Sequence, residues 1–463
     1  MSYFDRLALR AVHRAGARVD RYKLARRPYV REQLLNDAGI QGAVAVYAAE
    51  KGISEAEAWR VVDRYIDEIV PFFNIIAYYH LGYRAAGWLL NLFYKVSVEY
   101  EDRAKHEQLP RDAVLVYLMN HRSNADYVLV SYALAGDVAI SYAVGEWARA
   151  FPLEHLFKAF GSYFVRRRYR EALYHTVLER YVQLITRQGV TQGIFLEGGL
   201  TRDGKLRPPK IGLLDYVLGI ARDPAFRPRL FVVPVAVNYD RVLEDRTLLR
   251  ELATADGRPR TSRVKQFREV VHYLWWNSAR LVTRRWKRYG RAAVTVGAPI
   301  MLDPWFHREV NLFELPRTER LGRVQALCDD IMEHIGQLVP VTPVPLACAA
   351  IESLDRDFIP RTLLLDRMSE MRTVLVELNG RVIRADRDIG ETWERAWRML
   401  SMRRILLETG DGYTVLPRNR ELLRYYANSI AHLLGPFRSV LQARDALPSS
   451  ALPMPDLGAP GRA

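Results

Sequence analysis

The residues best suited to acid–base chemistry are His121 and Asp126, in the run Asn120-His121-Arg122-Ser123-Asn124-Ala125-Asp126-Tyr127. An imidazole with one ring nitrogen held by a carboxylate keeps a defined tautomer and presents the other nitrogen as a general base. A regular helix does not bring this pair together, because five residues turn the two side chains about 140° apart. They meet only if His121 lies in a turn and Asp126 in the first turn of the next helix, with its carboxylate curling back. Such a pair supplies two members of a triad whose nucleophile belongs to the substrate. Taken alone, the same spacing fits a histidine at a strand end and an aspartate that steadies a helix start.

The flanking sequence narrows the choice. Ala113 to Met119 is a short apolar run bounded by Asp112, which reads as a buried strand with His121 at its exit. Open α/β sheets carry their reactive groups there, outside the carboxyl ends of strands. Asn120 and Ser123 are candidates to cap the helix that follows. From 113 to 298, apolar runs at 113–119, 138–144, 162–165, 193–196, 230–237 and 292–296 alternate with helical stretches. This predicts an α/β fold, a mostly parallel sheet with flanking helices. An N-terminal helical, interfacial region is expected before it and a mainly helical C-terminal domain after it. The expected boundaries are 1–98, 99–305 and 306–442, with a Pro-, Ala-, Gly- and Ser-rich tail over 443–463 expected to be disordered.

Other strand exits carry complementary chemistry. Arg166-Arg167-Arg168 follows the run at 162–165, and Glu197-Gly198-Gly199-Leu200-Thr201-Arg202 follows 193–196, with Lys210 soon after. Paired glycines let backbone N–H groups turn toward an anion, and Thr201, Arg202 and Lys210 are placed to complete a phosphate pocket. Asn238-Tyr239-Asp240 ends the run at 230–237.

The net charge of +15 calls for an acidic partner: nucleic acid, an anionic membrane surface or a phosphorylated substrate. No zinc-ligand spacing, recognition-helix pattern or stacking motif is present, so neither nucleic acid nor a metal is expected. The cysteines, Cys328 and Cys348, sit in apolar contexts, which argues against a disulfide framework. Met1 to Arg31 lacks the apolar core of a signal peptide, and no run of about 18 apolar residues predicts a spanning helix. Arginines at 6, 10, 14, 18 and 21 line one face of a basic amphipathic helix, and Val70 to Tyr94 is aromatic-rich. With Tyr273 to Arg288, these are the candidate contacts with a membrane surface.

His121 to Asp126, Gly161 to Arg167, Phe195 to Gly199 with Pro209 to Gly212, and Val233 to Asp240 occur in an order that resembles the four blocks of the glycerolipid acyltransferases. The resemblance is to the membrane-type glycerol-3-phosphate acyltransferase branch, which includes dihydroxyacetone-phosphate acyltransferases. Gly290 to Ile300 and Leu423 to His432 agree with that branch, and the likeness covers residues from about 70 to about 440.

The resemblance implies transfer of a fatty acyl group from acyl-CoA or acyl carrier protein to the sn-1 hydroxyl of glycerol 3-phosphate. That reaction makes lysophosphatidic acid for phospholipid synthesis. It implies no cofactor beyond the acyl thioester co-substrate. The cysteine usage and the missing signal-peptide core lead us to expect a place on the cytoplasmic face of the cell membrane, peripheral or monotopic. His121 and Asp126 would be catalytic. Arg166, Arg167, Thr201, Arg202 and Lys210 would bind the acceptor's phosphate, and Glu197, Gly198 and Gly199 would shape the loop and its oxyanion-binding amides. One position departs from the pattern: Leu200 stands where this family commonly has arginine. The alternatives are acylation of lysophosphatidic acid at sn-2 or of dihydroxyacetone phosphate. A non-enzymatic alternative is an inactive acyltransferase scaffold serving as a membrane-binding module.

Overall fold

Strand β2, Val114–Met119, has every residue buried. A strand apolar on both faces has to lie inside a sheet covered on both sides. It pairs in parallel with β6, Leu230–Tyr239, on one side and with β5, Gln192–Phe195, on the other. Beyond β5 lie β3, Ser141–Gly145, and β4, Tyr163–Val165, also parallel. On the other flank β7, Arg291–Val296, runs antiparallel to β6, and β1, Lys95–Tyr100, runs parallel to β7. The order is β1-β7-β6-β2-β5-β3-β4, and the short β8, Ile300–Met301, also pairs with β6. Pro234 is tolerated in this central strand because its ring nitrogen faces the gap between β7 and β8, where its carbonyl takes the Gly297 N–H at 2.8 Å.

The structure, a computed structural model, describes residues 27–72, 83–135, 137–145, 153–159, 161–166, 169–253, 288–435 and 437. The expected basic helix up to residue 26, residues 73–82 of the aromatic segment, the stretch 273–287, Arg167, Arg168 and the tail lie outside these residues.

Two expected boundaries fall inside elements. The joint at 98/99 cuts β1, and the joint at 305/306 cuts the helix Asp303–Arg308. Packing explains both. The N-terminal helices Arg27–Leu35, Ala38–Lys51 and Glu55–Ile69 rest on the helix Ala172–Arg187. The long helix Arg317–Gln337 covers β6 and β2. One apolar core therefore runs from Val30 to Phe437.

The Ser54 to Glu57 sequence does form a capping box, with Glu57 N–H to Ser54 Oγ at 3.3 Å and Ser54 N–H to Glu57 Oε2 at 3.0 Å. The prolines after Val339, which suggest a joint, instead open the buried helix Pro343–Leu354, where Pro343 occupies the first turn and has no N–H to leave unsatisfied. Near the end, β9 (Phe358–Pro360), β10 (Leu406–Thr409) and β11 (Gly412–Val415) make a small antiparallel sheet. The helix Arg420–Asn428 follows it.

Candidate active site

His121 leaves the carboxyl end of β2 in a turn, and Asp126 opens the helix Asp126–Leu134. His121 Nδ1 lies 2.9 Å from Asp126 Oδ2, and both side chains are buried. Three more donors converge on the same carboxylate. The N–H groups of Arg122 and Ser123 reach Oδ2 at 2.7 and 3.0 Å, and the Tyr239 hydroxyl reaches Oδ1 at 2.5 Å. The turn thus closes around the carboxylate, which accounts for the five-residue spacing. Burial, and then the neighbouring Asp126 charge, push the Tyr239 phenol well above its usual range, so it remains a proton donor to Asp126.

The imidazole is held from the sides as well. It stacks on Phe195 with ring centroids 4.1 Å apart and meets Tyr127 edge-on at 5.5 Å. Its main-chain N–H donates to Glu197 Oε1 at 3.0 Å, while Glu197 Oε2 takes the Arg207 N–H at 3.3 Å. Burial pushes the Glu197 carboxyl up to about 7, against the opposing pull of the Arg122 cation. Gly198 then turns the chain with φ +63°, and a Cβ there would crowd the Lys210 stem at 2.8 Å.

Asn120 does not cap the helix. Its amide donates to Val237 O at 3.0 Å and accepts from Val237 N–H at 2.8 Å, bridging β2 to β6. The Ser123 hydroxyl accepts the Ala125 N–H at 3.1 Å and donates to Glu244 Oε2 at 2.7 Å. Neither residue is a side-chain cap of the helix Asp126–Leu134.

The expected phosphate ligands do not converge. Arg166 forms a two-pronged ion pair with Glu68, on an N-terminal helix, and lies over the Tyr169 ring at 4.7 Å. That acidic partner, 98 positions away in sequence, holds its guanidinium in place. Arg202 is exposed and pairs with Glu251 at 3.2 Å. The buried Thr201 gives its hydroxyl to Asp203 at 3.1 Å and its N–H to His121 O at 3.4 Å. Lys210 anchors its N–H on Leu196 O at 2.8 Å and is exposed, with no ion pair among the described residues. Gly199 lends its carbonyl to Arg207 at 3.5 Å. Asp240 takes the N–H groups of Arg291 and Val344 at 2.7 and 3.0 Å, tying β7 to the helix Pro343–Leu354.

Several contributors were not singled out from sequence. Tyr239 is visible in the sequence only as part of a strand end, and nothing in the sequence singles out Arg207. Buried Arg122 donates to Gly204 O and, at 2.9 Å, to Ser429 O, so the C-terminal region closes on the loop beside His121. Asn428 Nδ2 reaches Asp203 O at 2.8 Å, and Asn238 Nδ2 reaches Pro340 O at 2.9 Å. Cys328 and Cys348 are buried, with both thiols raised by burial, Cys328 to about 12, which withholds the thiolate a nucleophile needs.

Residues 102–238 match the family model described as acyltransferase, and residues 276–437 match the glycerol-3-phosphate acyltransferase C-terminal region. Proteins named glycerol-3-phosphate acyltransferase from Aeromonas hydrophila and Actinobacillus succinogenes are 28% and 27% identical to it, each over 89% of this chain. One from Pseudoalteromonas translucida is 25% identical over 87% of this chain. The chain spans about half the length of these curated relatives, 50% of each. A crystal structure of the 1-acyl-sn-glycerophosphate (LPA) acyltransferase PlsC from Thermotoga maritima aligns with a TM-score of 0.30 and 16% identity, over 71% of this chain and 93% of that one.

Proposed function

Because residues 102–238 match the acyltransferase model and residues 276–437 match the glycerol-3-phosphate acyltransferase C-terminal region, we propose that the chain moves a fatty acyl group from a thioester to the sn-1 hydroxyl of glycerol 3-phosphate. The thioester is that of coenzyme A or acyl carrier protein, and the product is lysophosphatidic acid. The observation that carries this reading is the 2.9 Å pairing of His121 Nδ1 with Asp126, a carboxylate that takes three further hydrogen bonds.

An alcohol attacks a thioester only as its proton leaves. With Nδ1 turned to Asp126, Nε2 of His121 takes that proton while the oxygen adds to the thioester carbonyl. Asp126 offsets the charge that the imidazolium acquires. The tetrahedral oxyanion collapses, the C–S bond breaks, and His121 returns the proton to the departing thiolate. The amides expected to serve the oxyanion are engaged elsewhere: those of His121, Arg122 and Ser123 go to Glu197 and Asp126, and that of Gly198 goes to Phe195 O at 3.1 Å, so the turn braces the base and does not form the oxyanion hole. No covalent acyl-enzyme and no cofactor enter these steps. Burial of the imidazole keeps bulk water from competing with the acceptor.

Of the expected phosphate ligands, Lys210 and Arg202 stay at the solvent-exposed rim of the loop, Arg202 in an exposed, exchangeable pairing with Glu251, where they add positive charge that draws in the phosphorylated acceptor. Arg166, occupied by Glu68, is left to hold the N-terminal helices to the β4 exit.

No helix among the described residues is long and apolar enough to cross a membrane. The proposed site of action is nonetheless a membrane surface, met by the exposed Trp88, Leu89 and Phe72 and by the positive net charge.

The test is release of free thiol from palmitoyl-CoA, dependent on glycerol 3-phosphate, by the purified full chain and by His121→Ala. A fall of about 10²–10⁴-fold in the variant is expected. Undiminished turnover by a folded His121→Ala protein refutes the base assignment.

A further inference from the structure

The loop that leaves β5 carries four cations, Arg202, Lys205, Arg207 and Lys210. Arg202 is answered by Glu251. Lys205 is exposed, its N–H turned back onto Asp203 Oδ1 at 3.1 Å. Lys210 lays its stem over Gly198. Arg207 differs from all three. Its main-chain N–H and that of His121 share one carboxylate, Glu197, at 3.3 and 3.0 Å. Among the described residues its half-buried guanidinium hydrogen-bonds to carbonyls, Nη1 reaching Leu200 O at 3.3 Å and Gly199 O at 3.5 Å, with the Glu197 carboxyl near enough to feel its charge. The Leu200 side chain packs against the apolar core, so position 200 contributes no charge, only the carbonyl that Arg207 caps.

We propose that Arg207 is the cation that anchors the acceptor's phosphate, supplying from seven residues further along the loop the positive charge that Leu200 does not. This rests on the acyl-transfer reading above and names a specificity-determining residue for it.

The physical case has three parts. Bonds of 3.3 and 3.5 Å to neutral carbonyls are at the long end of the hydrogen-bond range, so exchanging them for phosphate oxygens gains strength. A guanidinium offers a planar fork that matches two phosphate oxygens, which the Lys210 ammonium does not. The Glu197 bridge fixes the main chain of Arg207 relative to that of His121, so a phosphate held there sets the distance of its hydroxyl from the base.

Arg207→Ala tests this cleanly, because the main-chain bond to Glu197 survives the substitution. The thermal midpoint serves as the check on folding, and Arg207→Lys is the second variant should the alanine protein fail to fold. Binding of glycerol 3-phosphate is measured by calorimetry, and KM is measured separately for glycerol 3-phosphate and palmitoyl-CoA. A rise of about tenfold or more in Kd and KM for glycerol 3-phosphate is expected, with the thioester KM within about twofold and lysine intermediate. Unchanged acceptor binding, or equal effects on both substrates, overturns the proposal. If the wild-type chain binds glycerol 3-phosphate through Arg207 but releases no thiol, the anchor stands and the acyl-transfer reading falls. If the wild-type chain binds none, both fall.

Discussion

The guanidinium of Arg122 donates to the main-chain carbonyl of Ser429 at 2.9 Å, across 307 positions of sequence. Arg122 stands next to His121, and its other donor engages Gly204 O in the loop from β5. The C-terminal region is therefore fastened to the residue beside the proposed base, and its docking and the shape of the site are one problem.

Arg122→Met keeps much of the bulk and removes both bonds, leaving two buried carbonyls without this donor. We expect a loss of about 2–4 kcal/mol in urea unfolding followed by tryptophan fluorescence, together with reduced thiol release. An unchanged midpoint would mean that the two regions dock without this arginine.

Tyr239→Phe removes one of the four hydrogen bonds to Asp126 and nothing else of size. The turnover number should fall about 10-fold, with both KM values nearly unchanged, because the tyrosine steadies the carboxylate and touches no substrate. A large change in acceptor KM would assign it a different role.

Glu197 gives a pH signature. Its folded pKa of about 7 stands above its ordinary 4.5, so the folded chain binds the proton more tightly than the unfolded one. Its contribution to stability is full below pH 4.5, declines as pH rises through the window to 7, and is flat above that. The difference amounts to roughly 3 kcal/mol at most. In Glu197→Gln this part of the slope disappears, although one of the two main-chain bonds loses its acceptor. Parallel stability curves for the two proteins from pH 4 to 8 would refute the assignment.

Gly204 sits at φ +85°, and an added Cβ would lie 1.9 Å from Tyr425 O. Gly204→Ala must either strain the loop or push the helix Arg420–Asn428 away. A loss of at least about 2 kcal/mol is expected, with faster proteolysis of the C-terminal region. Native-like protease resistance would show that the loop can yield.

The legible parts of the fold were those with a local signature. The apolar run before Asn120 gave β2, and the alternation after it gave the sheet. β1 was hidden because Lys95, Val98 and Glu99 are exposed, so an edge strand resembled a polar linker. The prolines around 343 signalled a break, yet proline is equally at home in a helix's first turn. For the site, spacing alone indicated how His121 and Asp126 must meet. It could not indicate that Glu68 and Glu251 would occupy Arg166 and Arg202, since an ion pair between distant segments has no periodicity to read. Arg207 was missed for the converse reason: its distinction is the carboxylate it shares with His121, a relation that exists only after folding.

The Asn120 side chain has a mechanical consequence. Its carboxamide offers Val237 both a donor and an acceptor, as a peptide group would, so the ladder between β2 and β6 gains a rung that is not main chain. The backbone is thereby freed to swing away from the sheet one residue earlier without letting the neighbouring strands gape. The imidazole that follows starts from a riveted pivot, and its position beside Asp126 is set by a single rigid step.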